Sequence, residues 1–231
     1  MKPSSHPTLR ELGPRTLCVT GLPADSSLRR TMLVHRLTDG RLVVFGAMWL
    51  PDFGPADLEA LGEVAIVVVT NPWHWSDEPD FRARYPAARF LAPRASRPRI
   101  HARIVPVDGD AEDELPALGI LAHLPDGTRG LDLVYEFRDE DGGGLYFSDL
   151  MFNLPHGRGL KGMLGRLMGT TGAFRVTPLA RLGLVTRGKD LGRWFHQQAR
   201  REDLNWLAVG HGRPVTENLA AALSGAASRL S

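Results

Sequence analysis

Between Val64 and Asp77 the sequence reads VAIVVVTNPWHWSD, six apolar residues, mostly β-branched, that end abruptly in a polar and aromatic cluster. Asn71, His74, Ser76 and Asp77 bring an amide, an imidazole, a hydroxyl and a carboxylate into one short loop, with Trp73 and Trp75 interleaved. Such side chains supply the donors, acceptors and proton carriers from which a ligand site is built. Two more polar residues stand where apolar runs end: Asp149 after LYFS, and His211 between two glycines after LNWLAV. Taken on residue type alone, these two fill ordinary roles, a turn-capping carboxylate and an imidazole bonded to a loop carbonyl.

The elements around the loop explain its placement. An unbroken apolar run from Val64 to Val69 predicts a strand covered on both faces, hence central in a sheet. In helix-flanked sheets, ligands collect in loops at the carboxyl ends of strands, which is where Thr70 to Asp77 falls. Pro55 to Leu61 predicts a short helix entering that strand, with Pro near its start and Gly62 beyond its end. Glu78 to Tyr85 predicts a helix leaving it, with Phe81 and Tyr85 on one face and Pro86 as the stop. Arg89 to Ala92 then returns as a strand, and a β-α-β unit requires the two strands to be parallel. Upstream, MLVHRL, TDGR and LVVF predict a hairpin over 32 to 45.

Elsewhere the pattern predicts an irregular lead-in over 1 to 15 and a short strand from Leu17 to Leu22. Residues 93 to 103 read as a surface loop, Ile104 to Val107 as a strand, and the acidic run Asp108 to Glu114 as a solvated loop. Strands are expected at 118 to 124, 131 to 137 and 144 to 147, antiparallel in character. Helices are expected at 160 to 168 and 191 to 201, a strand at Trp206 to Val209, and a closing helix from Thr216, its N-cap, to Leu230. We read residues 1 to 30 as lead-in and first strand, and 31 to 231 as one domain with a basic helical insertion at about 154 to 203. That segment has ten Arg or Lys against three acids.

With 231 residues and 43% apolar content the chain has ample material for a core, and its net charge of +2 gives no strong pull toward nucleic acid. One cysteine, Cys18, rules out an internal disulfide and suits a reducing, cytoplasmic setting. No stretch reaches the length a membrane helix needs, so stable membrane insertion is not expected. A Ser-His-Asp hydrolase lacks support because no Gly-x-Ser-x-Gly elbow occurs.

Four segments, the 32 to 45 hairpin, VVVTNPWHWSDEPDFRARYPAARFLAP, GLYFSDLMF and LNWLAVGHGRPV, together resemble the metallo-β-lactamase fold over roughly residues 30 to 228. The resemblance implies an α/β protein, a four-layer αββα sandwich of two mixed sheets. The Asn-Pro-Trp-His run and the Tyr-Pro-Ala-Ala-Arg strand entry look closest to the DUF4336-type branch. Active members carry His-x-His-x-Asp-His after the central strand, because two zinc ions need imidazoles and carboxylates from one rigid loop. Here those positions hold Asn71, Trp73, Trp75 and Ser76. The next expected ligand, a histidine, falls in Pro125 to Thr128, which reads Pro-Asp-Gly-Thr. Asp149 and His211 match the bridging aspartate and the last histidine.

The resemblance therefore implies a pocket, lined by Asn71, Trp73, His74, Trp75, Ser76 and Asp77, whose metal motif is degenerate. It would bind a small molecule or partner with no cofactor. The alternative is a hydrolase or lyase with one zinc or other divalent metal held by His74, Asp77, Asp149 and His211, with Asp149 and His211 as catalytic residues. A third reading sets the arginine-rich 154 to 203 segment against lipid or polyanion.

Overall fold

The computed structural model describes residues 7–23, 28–73, 76–140, 142–156, 159, 171–172 and 174–230. The helix expected at 160 to 168 lies outside them. The chain divides into two compact units, residues 1–120 and 121–231.

In the first unit seven strands run in sequence order across one mixed sheet. They are β1 (Thr8–Gly13), β2 (Thr16–Gly21), β3 (Arg30–Arg36), β4 (Leu42–Phe45), β5 (Val64–Val68), β6 (Arg89–Ala92) and β7 (Gly109–Asp110). The first four pair antiparallel, and β4 to β7 pair parallel. The switch follows from the connections: short ones reverse the chain among the first four strands, whereas α1 (Pro55–Glu59), α2 (Glu78–Arg84) and α3 (Arg97–Arg103) carry it back to start the next strand in the same direction. Strand β5 stands between β4 and β6, so the apolar run at 64 to 68 is interior to the sheet as its composition requires.

The hairpin turn is held by Asp39, whose carboxylate accepts from the Arg41 backbone N–H and Nε at 3.0 and 2.8 Å. Where the 38–41 turn meets the entry to β5, Gly62 adopts φ +151°, and a Cβ there would lie 2.6 Å from the Gly40 carbonyl oxygen. Leu58, Phe81 and Ile100 on the three helices pack with Met32, Val34, Val44, Val67 and Phe90 into one core.

Several expectations change. Residues 8 to 13 form a strand rather than an irregular lead-in, because β1 pairs with β2 through a tight turn at Pro14-Arg15. Arg97–Arg103 is a helix, not a loop, with Pro98 tolerated in its first turn. Ile104 to Val107 forms no strand, although Val105 and Val107 are buried in the core. The acidic run holds β7 and a short helix, α4 (Ala111–Glu114), because its carboxylates find arginines: Asp108 with Arg82, Asp110 with Arg94 and Arg97, Glu114 with Arg89.

The second unit holds a four-stranded mixed sheet ordered β11-β10-β9-β8, made of β8 (Ile120–His123), β9 (Val134–Asp139), β10 (Gly142–Asn153) and β11 (Leu204–Gly212). Strands β9 and β10 are antiparallel, β10 and β11 parallel. Helices α5 (Pro178–Leu184), α6 (Gly188–Gln198) and α7 (Leu219–Ala227) bury Ala180, Leu184, Leu191, Phe195 and Leu223 against Val134, Leu145, Phe147 and Val209. Helix α7 is capped by Asn218 in a left-handed conformation, not by Thr216. Glu136 on β9 is 1% exposed and accepts from His123 on β8, Arg138 and Arg201. Burial alone would raise its carboxyl, but these three donors hold it well below the usual glutamate range.

Candidate functional site

The loop after β5 spends much of its polar chemistry on itself. Asn71 is fully buried, and its Oδ1 accepts the Trp73 backbone N–H at 2.9 Å, an Asx turn that fixes the loop's first bend. Trp73 is 39% exposed, and Ser76 is exposed. His74 and Trp75 lie outside the described residues.

Asp77 is committed elsewhere than a metal. Its Oδ2 accepts Arg30 Nη1 at 3.0 Å and its Oδ1 accepts the Trp49 backbone N–H at 3.2 Å. Arg30 enters at the start of β3 and donates a second bond, at 3.2 Å, to the Ala47 carbonyl. The side chains are 8% and 13% exposed, so this is a buried ion pair tying β3, the 46–49 segment and the start of α2 together. Trp49 in turn stacks on Phe81 of α2, ring centroids 3.9 Å apart. Next to Asp77, Glu78 is fully buried with neither carboxyl oxygen hydrogen-bonded among the described residues. Its burial raises the carboxyl to about 8, against a smaller pull downward from Arg30, so the group is a neutral acid at pH 7. No spacing rule pairs residues 30 and 77.

In the second unit the structure does bring Asp149 and His211 together. Along β10 from Phe147 to Phe152 is five steps, matched by two along β11 from Val209 to His211, so Ser148 to Met151 bulge out of the ladder. A bulge leaves backbone N–H groups unpaired, and here a carboxylate that sequence reading passed over takes them. Asp132 Oδ2 accepts the N–H of Asp149 at 2.7 Å and of Leu150 at 2.9 Å. The bulge turns Asp149 toward β11, where its Oδ1 meets His211 Nε2 at 3.1 Å. The glycines beside His211 permit this approach. A Cβ on Gly210 would lie 2.8 Å from the Ser148 carbonyl oxygen, and one on Gly212, at φ +126°, would lie 2.2 Å from that of Asn153. Phe152 packs on the imidazole at 4.6 Å between centroids. Asp132 is 2% exposed with its Oδ1 unpaired among the described residues. Burial first, and the nearby Asp149 charge second, push its carboxyl well above the usual range.

A pair of zinc ions does not fit what these residues offer. Indole nitrogen has no usable lone pair, the Asn71 amide oxygen is a weak zinc ligand and already closes a turn, and Asp77 is paired with Arg30 and the Trp49 backbone N–H. Among the described residues no three His, Cys, Asp or Glu side chains form a group able to hold a metal ion.

No family model matches the chain, and no curated protein does. Solved structures do match. The DIM-1 metallo-beta-lactamase superposes with a TM-score of 0.64 at 11% identity, covering 98% of this chain and 99% of its own. The mono-zinc form of FIM-1 from Pseudomonas aeruginosa gives 0.62 at 13% identity, covering 96% and 95%. A metallo-beta-lactamase from Hirschia baltica gives 0.61 at 12% identity, covering 95% and 96%. At such identities the shared property is the backbone path, and the chain has the metallo-β-lactamase-like α/β fold with its two mixed sheets.

Proposed function

We propose that this is a metallo-β-lactamase-fold protein of the DUF4336-type branch, cytoplasmic, whose metal motif is degenerate and which binds a small molecule or partner without hydrolysing it. Donor chemistry carries this reading: at the four positions where active members place imidazole and carboxylate stand Asn71, Trp73, Trp75 and Ser76. The residues assigned to ligand recognition are Asn71, Trp73, His74, Trp75, Ser76 and Asp77 in the first unit, and Asp149 and His211 in the second. Within the second unit Asp149 and His211 are polar groups able to orient a ligand, and within the first the partly exposed Trp73 offers apolar contact area. Metal analysis after metal-free purification and reconstitution with zinc tests it. Less than one tightly bound equivalent is expected, and two per chain would overturn the proposal.

The 3.1 Å approach of His211 to Asp149 favours a second reading, a hydrolase or lyase with one zinc or other divalent metal. Asp149 and His211 would be its ligands within the second unit; of the candidates in the first unit, His74 lies outside the described residues and Asp77 is paired with Arg30. Under this reading His211→Ala abolishes metal content and turnover together, and retained turnover excludes it.

A further inference from the structure

Helix α5 is apolar on two faces. Thr177 caps it, its Oγ1 accepting the Ala180 N–H at 3.1 Å, and Ala180 and Leu184 fasten one face to the core of the second unit. On the other face Leu179 and Leu182, one turn apart, are 76% and 78% exposed. A helix over a core ordinarily turns polar side chains to water, so two bare leucines on such a ridge need a partner.

Two exposed arginines belong to the same part of the unit: Arg181 stands between the leucines in sequence, and its Nη1 donates at 3.4 Å to the carbonyl of Arg229, itself exposed. Arg175 is partly buried, and its Nη2 donates to the Thr171 carbonyl. Among the described residues no carboxylate pairs with Arg175, Arg181 or Arg229, in contrast to Arg187 and Arg193 of the next helix, which share Asp190.

We propose that α5 docks the second unit on an anionic lipid surface, Leu179 and Leu182 entering the acyl boundary while Arg181 and Arg229 meet the phosphate and carboxylate groups above it. The layering favours lipid over protein. Protein interfaces bury a broad area whose centre is poor in charge. A short apolar ridge accompanied by exposed guanidiniums that have no carboxylate partner among the described residues matches instead the depth profile of a bilayer, apolar below and anionic at the headgroups. The site is separate from the residues of the proposed function and stands or falls without them.

Co-sedimentation of the full chain with vesicles tests this. Wild type is expected to pellet with phosphatidylcholine vesicles containing phosphatidylserine, not with phosphatidylcholine alone, and to be released by salt. Removing both charges with Arg181→Gln and Arg229→Gln should weaken binding about fivefold per arginine. Leu179→Ser with Leu182→Ser should weaken it about tenfold. All four positions are exposed, so a circular dichroism melt should show these variants folded. Failure of wild type to bind anionic vesicles at low ionic strength overturns the proposal, as does undiminished binding by the leucine variant. So does self-association of wild type in sedimentation velocity that the leucine variant abolishes, since the ridge would then be a protein interface.

Discussion

The loop after β5 follows a strand and the bulge in β10 interrupts one, and they use their polar residues in opposite ways. In the loop, Asn71 and Asp77 turn inward: one closes an Asx turn, the other neutralises a buried arginine. In the bulge, backbone groups are satisfied by a residue from outside it, Asp132, which leaves Asp149 to face His211. In the loop the polar side chains fix their own segment, whereas in the bulge a residue from outside fixes the backbone that carries Asp149.

The sharpest way to break this contrast is to remove the first loop's internal partner. Arg30→Met should cost about 4 kcal/mol in urea unfolding, because it strands a buried carboxylate. Asp77→Asn should also destabilise the fold while leaving metal content unchanged. A fall in bound zinc for that variant would show Asp77 to be a ligand after all.

Next in size is Asp132. Asp132→Ala leaves two N–H groups of the bulge without an acceptor and should cost about 3 kcal/mol, whereas Asp132→Asn keeps an acceptor oxygen and most of the stability. The asparagine variant should also flatten a pH slope. The folded carboxyl stays protonated above the usual aspartate range, so wild type is favoured by this group at low pH and loses that contribution as pH rises toward the folded value. Equal losses for the alanine and asparagine variants would mean that Asp132 supports the bulge by packing alone.

The smallest expected effect belongs to Glu78. Its ordinary value of 4.5 rises to about 8 in the fold, so its contribution is intact below pH 4.5 and disappears progressively up to about pH 8. Glu78→Gln removes this proton linkage but still buries an unpartnered polar group, and should stabilise the protein by about 2 kcal/mol at pH 6. The gain should vanish near pH 4. A gain independent of pH would place the cause elsewhere.

Local chemistry made much of the frame legible. The apolar run of β5, the Asp39-Gly40 turn, the proline-led helices and the parallel return through Arg89–Ala92 follow from periodicity and backbone preference within a few residues. Asp149 and His211 were legible as polar residues where apolar runs end, although both strands continue past them. Residues 8 to 13 escaped because a polar edge strand has no alternation to read, and its order comes from pairing with β2.

The sequence by itself determined which donors are present and that β5 is interior. Only the tertiary structure decided which of those donors are spent. Arg30 and Asp77 are 47 residues apart and Asp132 and Asp149 are 17 apart. Neither separation repeats a helix or strand period, so each contact exists only once the chain has folded around it.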